Sequence, residues 1–372
     1  MNWQTENFES RDSHLQIDGV DAVELAREHG TPLFVFSENR IRHNIEKFTA
    51  IRDAIPCPLK ICYAAKAMST MGILRVVKEA GIDIEVNSGG ELWKTLQAGF
   101  TGGQIIFNGT SKEVWELEMA INAGIYAIQV ASLYELSLIE ETAQRLGKRA
   151  NVSLRLVPEI ESGTHSGLQT ALLTSKFGMM PDEAFSAFRE HNDLPHLNLC
   201  GIHLHIGSQN PDPSVYAEAL RELIGALERI EAETGIRLKH INLGGGFPVD
   251  YLGDRPDVIS QPHRSVLAAD LDPGQTIADA WRSATAGRGS VLDGITLLLE
   301  PGRSIIADAG ICLTTVRNAK QRPTDHRPLA VDRRRLQHPA LDGNLQMVLP
   351  PDISESLRRT AQHAVQGSRP AV

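Results

Sequence analysis

Residues 60–98 read KICYAAKAMSTMGILRVVKEAGIDIEVNSGGELWKTLQA, and this stretch decides the fold. It contains an apolar run at Lys60–Ala64, a helical pattern at Gly72–Ala80, a second run at Ile82–Val86 and a second helical pattern at Glu91–Ala98. Short apolar runs beside turn residues predict buried strands, and apolar residues spaced three and four apart predict amphipathic helices. The stretch therefore predicts two consecutive strand–helix units.

The same alternation of strands and helices extends over most of the chain. Eight apolar runs are predicted as strands, and they begin at Lys60, Ile82, Gln104, Ala127, Val152, Gly201, His240 and Ile295. Further helices are predicted at Lys112–Ala123, Leu133–Leu146, Pro213–Glu233 and Thr276–Ala286, and an earlier pair, Pro32–Phe36 and Glu38–Ile55, precedes the first run. Eight strand–helix repeats close a parallel (β/α)8 TIM barrel. The competing fold is an open doubly wound sheet, whose usual glycine fingerprint after the first strand is absent here.

A second, smaller β-domain is expected from the two ends of the chain. With 372 residues, the chain is long for one compact core. We assign residues 33–305 to the barrel, and residues 1–32 plus 306–372 to the smaller domain. Residues 321–372 are atypical, because they contain no Phe, Trp, Tyr, Cys or Lys and so offer few large groups for a core.

Composition and charge exclude several classes of protein. The net charge of −9 argues against a general nucleic-acid or anionic-membrane surface. The four scattered cysteines form no CxxC pair, which predicts reduced thiols in a reducing compartment. The N-terminal residues lack the pattern of a signal peptide, and no apolar run approaches the ~18 residues of a membrane span. We therefore expect a cytoplasmic protein.

Candidate functional residues follow the predicted strands, at the end where barrel enzymes place their reacting groups. In chain order they are Lys66, Glu85, Asn87, Ser88, Asn108, Ser132, Arg155, His205, Ser208, Gly244–Gly246, Glu300 and Arg303. Each has an ordinary structural explanation when it is taken singly. A solvated surface would not be expected to produce the whole set.

Lys66 lies in YAAKAM, between small apolar residues. Dry surroundings destabilise an ammonium group, so a lysine there more readily provides the free amine that forms imines. A surface lysine that marks the end of a strand is the alternative explanation, and for a single lysine it is the commoner one.

Two glycine-containing turns are candidate ligand sites. Gly244–Gly246 follow a predicted strand, and glycine lets backbone N–H groups approach a phosphate, more favourably still where a helix begins. Pro301 and Gly302 form a turn that can direct Glu300 and Arg303 at one ligand. The alternatives are an ordinary tight turn and a local ion pair.

The stretch HLHIGSQ places His203 and His205 on one face of the sixth strand by alternation. A histidine can lie against a flat ring, and Ser208 can donate to a phosphate, whereas His203 is also explained as a hydrogen-bonded core histidine. The sequence contains no HExxH and no second cluster at ligand spacing, so it predicts no metal site.

The chain resembles the fold-type III pyridoxal phosphate-dependent decarboxylases, the group of diaminopimelate, ornithine and arginine decarboxylases. The matching stretches, which run from about Pro32 to Cys312, are YAAKAM, EVNSGGEL, IIFNGTSK, SLRLVP, TSKFGM, GIHLHIGSQ, NLGGGFP and LLEPGRSI. HIGSQ and SGGEL favour the diaminopimelate branch. The resemblance implies an alanine racemase-like barrel, pyridoxal 5′-phosphate as cofactor, a small-molecule amino acid substrate and a homodimer.

The resemblance also implies roles for single residues. Lys66 would form the imine with the cofactor, His205 would stack on its ring, and Glu300 would face the pyridine nitrogen; these three are the expected catalytic residues. The remaining cofactor-binding residues would be Ser208, Gly244, Gly245, Gly246 and Arg303 at the phosphate, with Glu85 and Arg155 beside the cofactor. A carboxylate at the ring nitrogen favours decarboxylation, because it keeps that nitrogen protonated. Alanine racemases place an arginine there.

Two features depart from the family pattern. Glu85 replaces the usual aspartate. The stretches EVNSGGEL and LVPEIESGTHSGLQTALLTSKFGM are more similar to those of decarboxylases of siderophore pathways, which act on larger conjugated amino acids. The family's C-terminal domain carries a Cys-Glu-Ser-Gly-Asp-type segment and a later tyrosine for the partner's active site, but Cys and Tyr are absent after Lys320. We interpret the tail as truncated, diverged or frame-shifted, with Pro328–Asp332 resembling the start of one β-domain strand.

Three functions follow from these observations. The first is decarboxylation of a diamino acid, or of a siderophore intermediate that contains one. The second is a barrel that binds pyridoxal phosphate with little or no turnover, because the segment with Cys and Tyr is missing. The third is a Schiff-base aldolase, which the pairings of His205 with Ser208 and of Glu300 with Arg303 disfavour.

Overall fold

The structure is a computed structural model, and it describes residues 7–12, 14–157, 177–191, 193–251, 271–288, 290–315, 317–321 and 328–331. The chain divides into two compact units. The larger unit comprises the described residues from Arg40 to Ala309, and the smaller unit comprises those before Arg40 and after Ala309.

The strands in chain order are β1 (Phe8–Arg11), β2 (His14–Ile17), β3 (Val20–Asp21), β4 (Leu33–Phe36), β5 (Leu59–Ala64), β6 (Asp83–Val86), β7 (Ile105–Phe107), β8 (Ala127–Val130), β9 (Ala150–Arg155), β10 (Leu197–His203), β11 (His240–Asn242), β12 (Thr296–Leu299), β13 (Gly310–Leu313), β14 (Asn318–Gln321) and β15 (Pro328–Val331). The helices are α1 (Ala22–His29), α2 (Glu38–Thr49), α3 (Ile51–Ala54), α4 (Met71–Glu79), α5 (Gly89–Gln97), α6 (Val114–Ala123), α7 (Leu133–Leu146), α8 (Pro181–His191), α9 (Pro213–Thr234), α10 (Pro273–Thr285) and α11 (Arg303–Ile306).

The larger unit is a closed barrel of eight parallel strands, β5 to β12, in sequence order around the ring. The ring closes where β12 pairs with β5, with Leu297 opposite Leu59. Both faces of each strand are buried, one against the covering helices and the other in the barrel interior. This explains why the strands are continuous apolar runs. The predicted TIM barrel is confirmed, and its eight strands are those that the apolar runs indicated.

The helices begin and end at residues that satisfy their terminal backbone groups. Ser88 and Ser132 cap α5 and α7 by accepting hydrogen bonds from Glu91 N and Glu135 N, at 3.3 and 3.2 Å. Gly124 and Gly147 end α6 and α7 in the left-handed conformation, which glycine adopts without a Cβ penalty. These local signals explain why the predicted and observed helices nearly coincide.

The expected barrel boundary at residue 33 needs correction. The strand β4 lies in the smaller unit, where it pairs antiparallel with β13, with Phe36 opposite Gly310 and Leu33 opposite Leu313. A barrel that closes with eight strands has no free edge for a ninth. The larger unit accordingly begins at Arg40 and ends at Ala309 rather than residue 305.

Several further elements differ from the sequence-based predictions. The helix α1 was not predicted, and the helix predicted at Glu38–Ile55 is divided into α2 and α3. The strand β10 begins at Leu197, four residues before the predicted Gly201, and it ends at His203, so His205 lies beyond the strand. The helix α8 was not predicted; it buries Ala184, Phe185, Ala187 and Phe188, which recur at helical spacing.

The smaller unit contains antiparallel strands and the helix α1. The strands β1, β2 and β3 form one sheet, in which Phe8 lies opposite Ile17 and both side chains are buried. The strand β15 pairs with β14 and coincides with the predicted strand start at Pro328. Most of the atypical segment, residues 322–327 and 332–372, lies outside the described residues. No helix in the described ranges is long and apolar enough to cross a membrane.

Candidate active site

The structure brings the predicted site residues to the carboxyl ends of neighbouring barrel strands. Lys66, Glu85 and Arg155 lie on or directly after β5, β6 and β9. His205 and Ser208 follow β10, Gly244–Gly246 follow β11, and Glu300 and Arg303 follow β12. Since β9, β10, β11, β12, β5 and β6 are consecutive around the ring, these residues occupy one continuous arc of the barrel mouth.

Lys66 lies in a single 3-10 turn, Ala65–Ala67, directly after β5. The turn packs against the loop after β12: Ala64 N donates to Pro301 O at 2.9 Å, and a Cβ added to Gly302 would lie 3.0 Å from the Ala64 Cβ. Contrary to the expectation of dry surroundings, the Lys66 side chain is exposed. The amine is therefore accessible from the barrel mouth.

Glu300 provides a buried carboxylate at the end of β12, only 6% exposed. Its Oε1 accepts a hydrogen bond from Asn242 Nδ2 at 2.7 Å, and its Oε2 accepts one from Asn108 Nδ2 at 2.9 Å. Its backbone N–H donates to Gly244 O at 2.8 Å. The orientation of this carboxylate is thus set by the ends of β7 and β11.

Glu85 provides a second carboxylate, on β6, that is completely buried. Its Oε1 accepts hydrogen bonds from Asn108 Nδ2 at 2.8 Å and from Asn87 Nδ2 at 2.5 Å. Its Oε2 is buried and has no hydrogen-bond partner among the described residues. Such an atom indicates a position for a further donor, because a buried carboxylate oxygen is costly without one.

The electrostatics of the site centre on Glu300. Burial raises the pKa of Glu300, and the nearby charge of Glu85 raises it further, while the hydrogen bond from Asn242 and the charges of Lys66 and Arg155 act in the opposite direction. Burial lowers the pKa of Arg155 to about 10, against the influence of Glu300 and Glu85. Two carboxylates and the Arg155 guanidinium therefore share one low-dielectric region, and the exposed Lys66 adds a nearby positive charge.

The glycine turn after β11 orients neighbouring side chains. Gly245 N donates to His205 Nδ1 at 3.2 Å, and Gly244 N donates to Asn242 Oδ1 at 2.8 Å. A Cβ at Gly245 would overlap Glu300 O, and Gly246 has a φ of 101°, so both positions require glycine. Two of the three turn amides expected at a phosphate thus donate to side chains. The residues from Gly246 to Tyr251 are not helical, unlike the expected start of a helix.

His205 is a neutral imidazole in this arrangement. Burial lowers the pKa of His205 well below its ordinary value, and the charges of Lys66 and Arg155 lower it further. Because Nδ1 accepts the hydrogen bond from Gly245 N, the ring proton resides on Nε2. The glycine turn therefore fixes both the position and the tautomer of His205.

Ser208, the glycine turn and Arg303 lie on three consecutive loops, after β10, β11 and β12. The first two loops are joined by Gln209, which donates to Val249 O at 2.6 Å and accepts from Val249 N at 3.1 Å. The Arg303 guanidinium lies 6.0 Å from the centre of the Tyr251 ring. The three elements predicted to hold a phosphate therefore follow neighbouring strands of the barrel.

Sequence reasoning assigned no role to Asn242, and it explained His203 as a hydrogen-bonded core histidine, whereas neither ring nitrogen of His203 has a hydrogen-bond partner in the described structure. Asn242 holds both Glu300 and Gly244, and the alternation of side chains along β11 puts it on the same face as His240. A polar residue within an apolar strand was the available signal. His203 is buried, and its Nε2 lies 3.8 Å from Glu300 Oε2. Burial lowers the pKa of His203 well below its ordinary value, so this histidine is neutral.

The residues present fit pyridoxal phosphate. An accessible amine on Lys66, a buried carboxylate on Glu300 and an imidazole with fixed orientation on His205 are three groups that such a cofactor requires. Within the described ranges, no cluster of three or more His, Cys, Asp or Glu side chains has the arrangement of a metal site.

Comparison with known proteins identifies the family. Residues 41–307 match the model of the pyridoxal-dependent decarboxylase family, pyridoxal binding domain. The chain is 33% identical over 327 residues to the diaminopimelate decarboxylase of Pseudomonas aeruginosa, covering 88% of this chain and 72% of that protein. It is 34% identical over 324 residues to the enzyme of Methanocaldococcus jannaschii, covering 86% of this chain and 70% of that protein.

Solved structures agree with the sequence comparison. The crystal structure of diaminopimelate decarboxylase from M. jannaschii has a TM-score of 0.75 at 33% identity, covering 88% of this chain and 73% of that one. The Helicobacter pylori enzyme, solved in complex with L-lysine, has a TM-score of 0.70 at 30% identity, covering 83% and 72%. The family model spans most of the chain and includes the whole barrel, so the chain belongs to the pyridoxal-dependent decarboxylases, a family of pyridoxal phosphate enzymes.

Proposed function

We propose that this protein decarboxylates a diamino acid, as the names of the diaminopimelate decarboxylases similar to it indicate for those enzymes. The observation that carries the proposal is the buried Glu300 carboxylate, held by two asparagine amides beside the turn that carries Lys66. Pyridoxal phosphate, when bound, supplies an electron sink for the charge left when CO2 departs.

The proposed roles of the chain's own residues follow from their placement. Lys66 would hold the cofactor aldehyde, since its amine is accessible at the barrel mouth. Glu300 would hold a proton at the pyridine nitrogen, and its burial strengthens that interaction. His205 would orient the ring, because its own position is set by the Gly245 amide.

The phosphate is proposed to lie where the loops after β10, β11 and β12 meet. Ser208, the Gly244–Gly246 turn and Arg303 lie on those loops, although the amides of Gly244 and Gly245 already donate to side chains. Arg155 and Glu85 would support the site from β9 and β6. Arg155 also packs over the Phe177 ring, 4.7 Å from its centre.

The substrate is proposed to be a free diamino acid, with a siderophore intermediate that contains one as the second candidate. The second candidate rests on the sequence resemblance, in which Glu85 stands at the position of the family's usual aspartate. We further propose that the protein forms a homodimer, as the family resemblance implies, and that it is cytoplasmic, as its scattered cysteines without a CxxC pair indicate. Sedimentation of the holoenzyme would measure its oligomeric state.

The proposal is tested by measuring CO2 release from purified holoenzyme. We expect release from meso-diaminopimelate if the substrate is a free diamino acid, and release from a citryl–diamine amino acid conjugate if it is a siderophore intermediate. Cofactor absorbance without CO2 from either substrate, or from any other diamino acid, would contradict the proposal. That outcome would leave a barrel that binds pyridoxal phosphate without turnover.

A further inference from the structure

One amide nitrogen joins two buried carboxylates at the barrel mouth, those of Glu85 and Glu300. Asn108 follows β7 and is 4% exposed, and its Nδ2 donates to Glu85 Oε1 at 2.8 Å and to Glu300 Oε2 at 2.9 Å. An amide nitrogen carries two hydrogens, so it can direct one to each carboxylate. With ordinary hydrogen-bond angles, this arrangement places the two oxygens roughly 5 Å apart.

The orientation of the Asn108 amide follows from its surroundings. Its Oδ1 is buried and has no hydrogen-bond partner in the described structure. A flipped amide would point this oxygen at two carboxylate oxygens, which are acceptors when ionised. The two carboxylates therefore require the nitrogen on their side.

Two other asparagines hold the same carboxylates one at a time. Asn87 Nδ2 donates to Glu85 Oε1 at 2.5 Å, and Asn242 Nδ2 donates to Glu300 Oε1 at 2.7 Å. Neither of these amides joins the two acids. The site thus contains one amide that donates to both carboxylates and two amides that each donate to one. Comparing their substitutions therefore distinguishes the effect of bridging from the effect of a single hydrogen bond.

The pair of carboxylates is surrounded by groups of both charge types. The titratable or charged groups that face it from neighbouring elements are Lys66, Arg155, His203, Cys62 and Glu91. The two cations favour ionised carboxylates, whereas burial and the mutual repulsion of Glu85 and Glu300 favour uptake of a proton. The amide between the acids contributes to this balance, because a donor shared by two like charges offsets their repulsion.

We propose that Asn108 is a positioning residue: it holds Glu85 and Glu300 as one bridged pair and offsets the repulsion that the charge of Glu85 exerts on Glu300, so that Glu300 stays ionised to lower pH. Without the bridge, the two acids repel each other unscreened, and the pair takes up a proton at higher pH. The consequence for catalysis rests on the proposed function, because Glu300 is the group proposed to face the pyridine nitrogen. The existence of the bridge does not depend on the proposed function.

An infrared pH titration of the full-length protein tests this inference. The absorption of protonated buried carboxyl groups is followed against pH, with bound cofactor and again after the cofactor is removed. We expect Asn108→Ala to move the midpoint to higher pH, and Asn87→Ala, the matched control, to move it less than half as far. Asn108→Ser is expected to give an intermediate midpoint, since a hydroxyl can donate to only one carboxylate at a time.

The Glu85→Gln background separates bridging from a structural role. If Asn108 acts by joining two charges, Asn108→Ala should have less than half its effect once Glu85→Gln has removed one charge. An unchanged midpoint in Asn108→Ala, an equal shift in Asn87→Ala, or an undiminished effect in the Glu85→Gln background would overturn the inference. If Asn108→Ala does not fold, Asn108→Ser supports the same comparisons.

The titration requires neither substrate nor turnover. Absence of CO2 release with the expected titration would therefore contradict the proposed function and leave the bridge standing. Normal CO2 release with no change in the titration would contradict the bridge and leave the proposed function standing.

Discussion

At the scale of single residues, small side chains position the lysine at the barrel mouth. A Cβ added to Gly302 would lie 3.0 Å from the Ala64 Cβ and 3.3 Å from the Ala67 Cβ, so these residues bring the turn of Lys66 against the loop of Glu300. Larger side chains at Ala64 or Ala67 would separate the two loops. The small side chains of Ala64, Ala67 and Gly302 thus allow the backbone that carries Lys66 to lie close to the backbone that carries Glu300.

Substitution of Lys66 is predicted to abolish the covalently held cofactor. We expect Lys66→Ala to lose the yellow absorbance band after gel filtration, because no other amine lies in the same turn. Lys94→Ala is the matched control, since Lys94 lies on the adjacent α5 and its Nζ contacts Ser69 Oγ at 3.4 Å. Borohydride reduction followed by peptide mapping identifies the modified lysine, and a label on any peptide without Lys66 would disprove the assignment.

At the scale of elements, a buried ion pair joins the loop after β7 to the start of α7. The Lys112 side chain is 1% exposed, and its Nζ bonds Gly109 O at 2.6 Å, Gln129 O at 2.8 Å and Glu135 Oε1 at 2.6 Å. Glu135 Oε2 in turn accepts from Ala131 N at 2.7 Å. Asn108 lies four residues before Lys112, so this ion pair supports the loop that carries the bridging amide.

Loss of this ion pair is predicted to destabilise the barrel strongly. Lys112→Met should lower the free energy of unfolding by about 3–5 kcal/mol, because it leaves the buried Glu135 carboxylate without its cation. Arg145→Met is the control, since its pair with Glu118 is largely exposed and should cost no more than about 1 kcal/mol. Urea unfolding followed by circular dichroism measures both variants, and similar losses would show that burial does not distinguish the two pairs.

At the scale of the whole molecule, the buried His203 and His240 and the partly buried His205 link stability to pH. Burial lowers the pKa of His203 and His205 well below the ordinary value and that of His240 to about 3, so the folded protein holds all three neutral. Their stabilising contribution is present above the unfolded pKa of about 6.5 and is lost as the pH falls below it. Glu300 acts in the opposite sense, because its raised pKa favours the folded state at low pH. Because three histidines act in the first sense and Glu300 alone in the second, we expect the net stability to fall as the pH falls.

Stability is therefore predicted to fall on acidification, in the window between about pH 6.5 and the lowered pKa values of the histidines. His240→Leu should flatten this dependence by up to roughly 1.4 kcal/mol per pH unit, since one proton fewer is taken up on unfolding. His240 suits the test because both of its ring nitrogens are buried without a partner in the described structure. Urea unfolding at several pH values measures the slope, and equal slopes for the variant and the parent would contradict the prediction.

Much of the fold was predictable because its signals are local. Buried strands and amphipathic helices are encoded by spacings of two to four residues, and helix ends are encoded by residues such as Ser132 and Gly147. The same local signals ordered eight strand–helix units, for which barrel closure is the known solution. The positions of Lys66 and Glu300 after their strands followed from that order.

The tertiary structure decided which side chains meet. Asn242 and Asn108 bind Glu300 across 58 and 192 residues of sequence, and their contacts depend on the register of the closed ring. The pairing of β4 with β13 and the exposure of the Lys66 side chain likewise depend on packing between distant segments. The physical reason is the range of the interactions: backbone conformation is set by near neighbours, whereas the partners and burial of a polar side chain are set by whatever the folded chain brings to it.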